Sequence, residues 1–248
     1  MEDPFAKLYT RHLPNTVLRK DFFMKTNRKR KLFWGLGFLT AFLLWTLAVS
    51  LIDVKPIGPR GSSVGFATVN GAFHAYTGVH FALYTLTEWL GLAPILTALC
   101  FGALGLLQWI KRKRLSRVDR SLLVLGGFYV AVAAAFLFFE AVVINCRPVL
   151  IDGVLEASYP SSTTLLAATI MPTAMLQLRT RMKKNAIRGA VLSFLAVFSA
   201  GMVVVRLFSG VHWLTDIVGG VLLSAGLVFL YACFADGADG LRSISNRQ

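Results

Sequence analysis

His212 and Asp216 stand four residues apart, a spacing that puts an imidazole and a carboxylate on one face of a helix starting near Val211. A carboxylate so placed holds the imidazole in one tautomer and stabilises its cation. Arg206 comes six residues before His212, on the wrong face of a continuous helix. Ser209-Gly210 lies between them and supplies a break, so Arg206 can end one helix and still point inward. An arginine presents a planar fork of donors suited to phosphate oxygens. A second charged group, Arg147, Asp152 and Glu156, sits in an earlier stretch. Taken alone, His212 and Asp216 read equally as a helix cap or a surface pair, so the elements that carry them decide what they are.

Those elements read as membrane helices. Of the 248 residues, 56% are hydrophobic and 15% are charged, with a mean hydropathy of +0.63. A soluble domain carries about a quarter charged residues. Charge-free spans run over Leu32–Ile52, Leu92–Ile110, Ser121–Phe139, Ser161–Leu178, Gly189–Val205 and Ile217–Phe234, each close to the ~20 residues that cross a bilayer core. The net charge of +14 does not indicate nucleic acid, because the basic residues form short runs between apolar spans. Such runs orient membrane proteins and favour anionic headgroups. Residues 1–31 read as a basic cytoplasmic segment, with a helix lying on the headgroups, rather than as a cleaved signal peptide. Cys100, Cys146 and Cys233 form neither a disulfide framework nor a metal-ligand pattern.

Segment 72–90 is ambiguous, because it is apolar but carries His74, Tyr76, His80, Tyr84, Glu88 and Trp89. With six spans, 22 of the 26 Lys and Arg fall on the side of the N-terminus, leaving Lys55, Arg60, Arg147 and Arg206 opposite. A seventh span at 72–90 would send Lys111-Arg112-Lys113-Arg114 outside, against the positive-inside rule. The expectation is therefore an all-α, polytopic bundle of six transmembrane helices. Both termini are cytoplasmic, and an interfacial helical segment lies at the outer surface over about 72–90. The loop with Arg147 and the loop with Arg206 and His212 then open on the same outer side.

Arg206, five residues, His212, three residues and Asp216 together resemble the third motif of the type 2 phosphatidic acid phosphatase superfamily, whose members share a helical core with vanadium haloperoxidases. Tyr159-Pro160-Ser161-Ser162 resembles the second motif and Arg147-Pro148 the first, in the family's order and placement. The resemblance covers roughly 92–234. That gives a basic segment at 1–31, a first span and outer loop at 32–91, the core, and a cytoplasmic tail at 235–248. It implies that His212 is a nucleophile forming a phosphohistidine and that Asp216 orients and activates it. Arg147 and Arg206 would hold phosphate oxygens, with Ser161, Ser162, Thr163 and backbone N–H groups helping. No metal and no cofactor is implied.

Two positions depart from the family pattern. Thr163 stands where the family has a histidine that protonates the leaving group, and Glu140 stands where it has a lysine. A threonine is no general acid near neutral pH. Glu140, seven before Arg147 near the outer end of a span, is either an ion-pair partner of an arginine or a replacement proton donor with its pKa raised by burial. Asp152, Glu156, His74 and His80 are the other candidates, the histidines reaching the pocket if 72–90 folds over it as a lid. The resemblance thus implies a lipid phosphatase acting on a lipid phosphate or diphosphate monoester at the outer face. The alternatives are a lipid phosphotransferase and a catalytically silent protein that binds or carries lipid phosphates. Oligomeric state is left open; glycines at 35, 37, 102 and 105 allow close helix packing.

Overall fold

A bilayer core offers no hydrogen-bond partners, so apolar segments of this kind satisfy their backbone groups internally as helices. The computed structural model describes residues 15–245, with side chains described over 26–235. In chain order the helices are α1 (Asn15–Leu51), α2 (Ala67–Thr77), α3 (Phe81–Arg112), α4 (Arg120–Ala141), α5 (Ser162–Arg181), α6 (Ala186–Phe208) and α7 (Leu214–Ser245), with short 3₁₀ turns at Pro59–Gly61 and Leu115–Arg117. No strand occurs among the described residues, only three isolated bridges in the loops. The all-α membrane bundle expected from the spans is what forms.

Two expectations are corrected. The basic stretch from residue 15 onward is not a separate helix on the headgroups; it is the first part of the continuous 37-residue α1. Residues 1–14, and the end of the tail at 246–248, lie outside the described residues. Segment 72–90 is not one interfacial helix. It divides at Gly78, whose φ is +66°, into the end of α2 and the first turns of α3. Residues 81–90 continue without a break into the span expected at Leu92, which makes α3 a 32-residue helix about 48 Å long.

Among the described residues, composition supports five of the six expected spans. Five helices are long and apolar enough to cross a membrane: α1 from Thr26, α3, α4, α6, and α7 as far as Ala235. The sixth expected span, α5, lacks that apolar composition. It packs against α3, α4, α6 and α7, so it has little need of a lipid-facing surface. Its buried threonines turn their hydroxyls back onto its own backbone, Thr169 to the Leu165 carbonyl at 2.6 Å and Thr173 to the Thr169 carbonyl at 3.0 Å. That satisfies these hydroxyls within the helix, whereas Thr164 Oγ1, near its start, has no hydrogen-bond partner among the described residues.

The long helices alternate in direction. One end of the bundle therefore gathers α2, the start of α3, the 142–161 loop and the α6–α7 turn. The other end gathers the 113–119 and 182–185 turns. Phe42, Phe139 and Tyr159 form an aromatic cluster beneath the first end, with ring centroids 5.5–6.2 Å apart. Tyr159 also fits against Gly219, where a Cβ would lie 2.7 Å from its ring, and its hydroxyl meets that of Thr46 at 2.7 Å. These contacts tie α1, α4, α7 and the 142–161 loop together under the candidate site.

Candidate functional site

The expected break between Arg206 and His212 is present. After α6 ends at Phe208, Gly210 takes φ +71°, and a Cβ there would sit 2.0 Å from the Gly78 carbonyl oxygen. His80 N–H donates to the Ser209 carbonyl at 2.9 Å. The loop before His212 is thus pressed onto the link between α2 and α3, and only glycine fits.

His212 is 3% exposed. Its Nδ1 lies 3.1 Å from the Ser158 carbonyl oxygen, which can only accept, so Nδ1 carries the hydrogen and Nε2 keeps a lone pair. Nε2 is buried and has no hydrogen-bond partner among the described residues. Burial first, and then the nearby Arg206 and Arg147, hold the imidazole well below its ordinary value of 6.5. Asp216 Oδ2 is 3.7 Å from Nδ1, outside hydrogen-bond range. The carboxylate is held elsewhere: Oδ2 accepts from Trp213 N–H at 2.9 Å and Oδ1 from Asn145 Nδ2 at 3.3 Å. Asp216 therefore caps α7, as the simpler reading of the spacing had it. It is nevertheless fully buried beside His212 and no surface pair.

Arg206 is fully buried. Its Nη1 pairs with Glu88 Oε1 at 2.8 Å and donates to Thr87 Oγ1 at 3.0 Å, while Nε and Nη2 have no hydrogen-bond partner among the described residues. Arg147 Nε lies 2.9 Å from Glu156 Oε2, and its Nη1 is likewise without a partner. The Tyr84 ring lies between the guanidinium groups, 5.0 Å from that of Arg206 and 5.9 Å from that of Arg147, within cation–π range. Both arginines are fixed on one side and keep donors open on another.

A cavity of about 30 Å³, room for one or two waters, is lined by Glu140, Arg147, Ser158, Ser162, Leu165 and His212, among others. Arg206, Ser161 and Thr163 do not line it. Ser161 is the N-cap of α5, its hydroxyl accepting from Thr164 N–H at 3.4 Å. Thr163 turns toward α3, where its methyl would lie 3.9 Å from a Cβ at Gly91.

The proposed proton donors separate. His74 donates from Nε2 to the Gly210 carbonyl of the α6–α7 turn at 3.1 Å, and its ring packs on Trp213. His80 places Nε2 2.9 Å from the Thr77 carbonyl and is exposed. Neither lines the cavity, so no lid of histidines closes over it. Glu140 does line the cavity, but it is exposed rather than buried, and it does not pair with Arg147, whose partner is Glu156.

Several groups here escaped sequence reasoning. Tyr84, Thr87 and Glu88 hold the arginines from α3. The signal was present: an ionisable residue within a membrane helix is a candidate by default, but Glu88 was assigned to a surface segment. Asn145 bridges Asp216 to Gly65, accepting from the Gly65 N–H at 3.2 Å. Asn70 Nδ2 meets Thr215 Oγ1 at 2.9 Å and ties α2 to the first turn of α7. Among the described residues, no group of three or more His, Cys, Asp or Glu is placed to hold a metal ion.

A family model described as the PAP2 superfamily matches residues 141–238, from the end of α4 into α7. The chain is also similar to the crystal structure of the first transmembrane PAP2 type phosphatidylglycerolphosphate phosphatase from Bacillus subtilis. Identity is 20% and the TM-score 0.50, over 81% of this chain and 94% of that one. Likeness at that identity speaks for the fold. No curated protein matches. With its long apolar helices, the chain is a multi-pass membrane protein with the PAP2 fold.

Proposed function

We propose that this protein is a membrane lipid phosphatase hydrolysing a lipid phosphate or diphosphate monoester through a phosphohistidine. The observation that carries the reading is His212 Nε2, a buried lone pair with no partner, its tautomer set by Ser158, near the open donors of Arg147 and Arg206. The family segment supports the same reading. Nε2 attacks phosphorus and the ester P–O bond breaks. The leaving oxygen takes a proton from solvent at the cavity rim, where Glu140 is the side chain placed to relay it. Water then attacks the phosphohistidine, the N–P bond breaks, and the water's proton returns to solvent through the same rim group, releasing phosphate and restoring the imidazole. Arg147, Arg206, Ser162 and the free N–H groups at the start of α5 stabilise the charge on the transferring oxygens, the dominant contribution in phosphoryl transfer. Asp216 fixes the turn that presents His212. Ser161 and Thr163 serve the site through the α5 N-terminus.

The site faces outward and both termini are cytoplasmic on this reading, because the basic turns lie at the opposite end of the bundle. A lipid substrate suits a site at the bilayer surface, where its tail remains in the membrane. No cofactor enters the scheme. The decisive experiment is phosphate release by the purified protein against a panel of lipid phosphates, with His212→Ala as the control. Full turnover in that variant sinks the mechanism. Product analysis with lipid acceptors separates hydrolysis from phosphotransfer.

One observation favours a second reading, a protein that binds lipid phosphates without cleaving them. Thr163 offers no acid, and each arginine already holds a carboxylate. Saturable binding of a lipid phosphate with no phosphate released, unchanged by Glu140→Gln, would select it.

A further inference from the structure

At the end of the bundle opposite His212, an apolar groove of about 220 Å³ separates the second half of α3 from the first half of α4. Phe101, Gly102, Gly105, Trp109, Leu122 and Tyr129 are among the residues that line it. A Cβ built at residue 102, 105 or 126 would meet no atom within 4 Å, so the missing side chains are what leave it open. From Phe101 to Trp109 the helix rises about 12 Å, close to one leaflet's half of the ~30 Å hydrocarbon core. The groove is smaller than the ~300–1,000 Å³ of compact ligand sites and suits a chain better than a ring system.

Its mouth is strongly basic. Lys111, Arg112, Lys113, Arg114, Arg117 and Arg120 are all exposed, and none forms an ion pair among the described residues. Arg112 donates to the Arg117 carbonyl and folds the turn over the groove. Asp119, the carboxylate of this turn, is held by Arg181 and Gln108, each at 3.2 Å.

We propose that this groove holds one acyl chain of an anionic phospholipid, drawn from the leaflet opposite His212, with its phosphate seated on the 111–120 turn. Any lipid chain matches the apolar walls, but only an anionic headgroup answers the unpaired cations. A second copy of the chain would set like-charged turns against each other. The proposal is independent of the reaction assigned to His212.

The test uses the full-length protein in nanodiscs containing lipids brominated on their chains. Quenching specific to Trp109 is taken as the difference between wild type and Trp109→Phe. Brominated phosphatidylglycerol is expected to quench Trp109 at about tenfold lower mole fraction than brominated phosphatidylcholine. Gly102→Leu with Gly105→Leu fills the groove and should abolish the Trp109-specific quenching. Lys113→Gln with Arg117→Gln should bring the two lipids toward parity while leaving the groove accessible. Native mass spectrometry of the wild type should retain one phosphatidylglycerol from a mixed bilayer, which keeps the test decisive if the leucine variant does not fold. Equal quenching by the two lipids overturns the proposal. So does a preference that survives in the filled groove, which would mark surface charge alone, and so does absence of Trp109 quenching, which would mean another protein surface covers the groove.

Discussion

The two ends of the bundle treat charge in opposite ways. Around His212 the arginines and Asp216 are buried and paired across the sequence: Arg206 with the half-exposed Glu88 of another helix, Arg147 with the partly exposed Glu156, and Asp216 with Asn145 and the Trp213 N–H. At the far end Lys111 to Arg117 are exposed and form no ion pairs among the described residues. Buried pairs are positioned to within a hydrogen bond and are costly to break. Exposed cations cost little and act through the bilayer's field. The first arrangement suits a site that must hold a geometry, and the second suits orientation and lipid contact.

Removing Arg206 should separate the ends most sharply. Arg206→Met is expected to lower lipid-phosphate turnover about 10²–10³-fold and to lower the melting temperature only modestly, because the Glu88 left behind is 47% exposed. Adding Glu88→Gln should restore the melting temperature but not the turnover. If it restores both, Arg206 is structural only. Asn145→Ala, which releases Asp216 and Gly65 together, should cut kcat about 10–100-fold with KM nearly unchanged, as measured by steady-state phosphate release.

Gly210→Ala should cost about 1–3 kcal/mol in thermal melts, since its backbone conformation and the Gly78 carbonyl both oppose a side chain. The buried His212 adds a pH dependence. The unfolded chain takes up its proton near 6.5, the folded one only well below that. Its contribution to stability is therefore complete above about pH 6.5 and is lost as pH falls toward the folded value. The difference between wild-type and His212→Gln melts taken from pH 7 to 5 should show the decline. At the other end, Lys113→Gln should change stability by no more than about 0.5 kcal/mol and leave turnover alone; a large effect there would erase the contrast.

What could be read from the sequence divides along the same line. Apolar runs separated by basic turns are local signals, and they identified the helices and the basic end. The spacing of Arg206, Ser209-Gly210, His212 and Asp216 is local too, and it placed the break and the start of α7. Contacts between distant segments left no such trace. Nothing near Glu88 says that its partner is Arg206, and its polarity made the start of α3 look like surface. The ion pair is what makes that charge tolerable in a membrane helix. The threonines of α5 are tolerated in the interior for a local reason, since the hydroxyls of Thr169 and Thr173 bond to the helix itself. His74 and His80 were read as titrating groups, but their ring nitrogens serve backbone carbonyls.

If the protein is the phosphatase proposed above, the carboxylates on Arg206 and Arg147 bear on how product would leave. Phosphate entering such a site would exchange with anions already in place, and Glu88 and Glu156 would return as it departs. Because they are tethered, their effective concentration at the guanidinium groups far exceeds that of a free ion. An enzyme built this way resists inhibition by its own inorganic product and can keep working where phosphate is abundant.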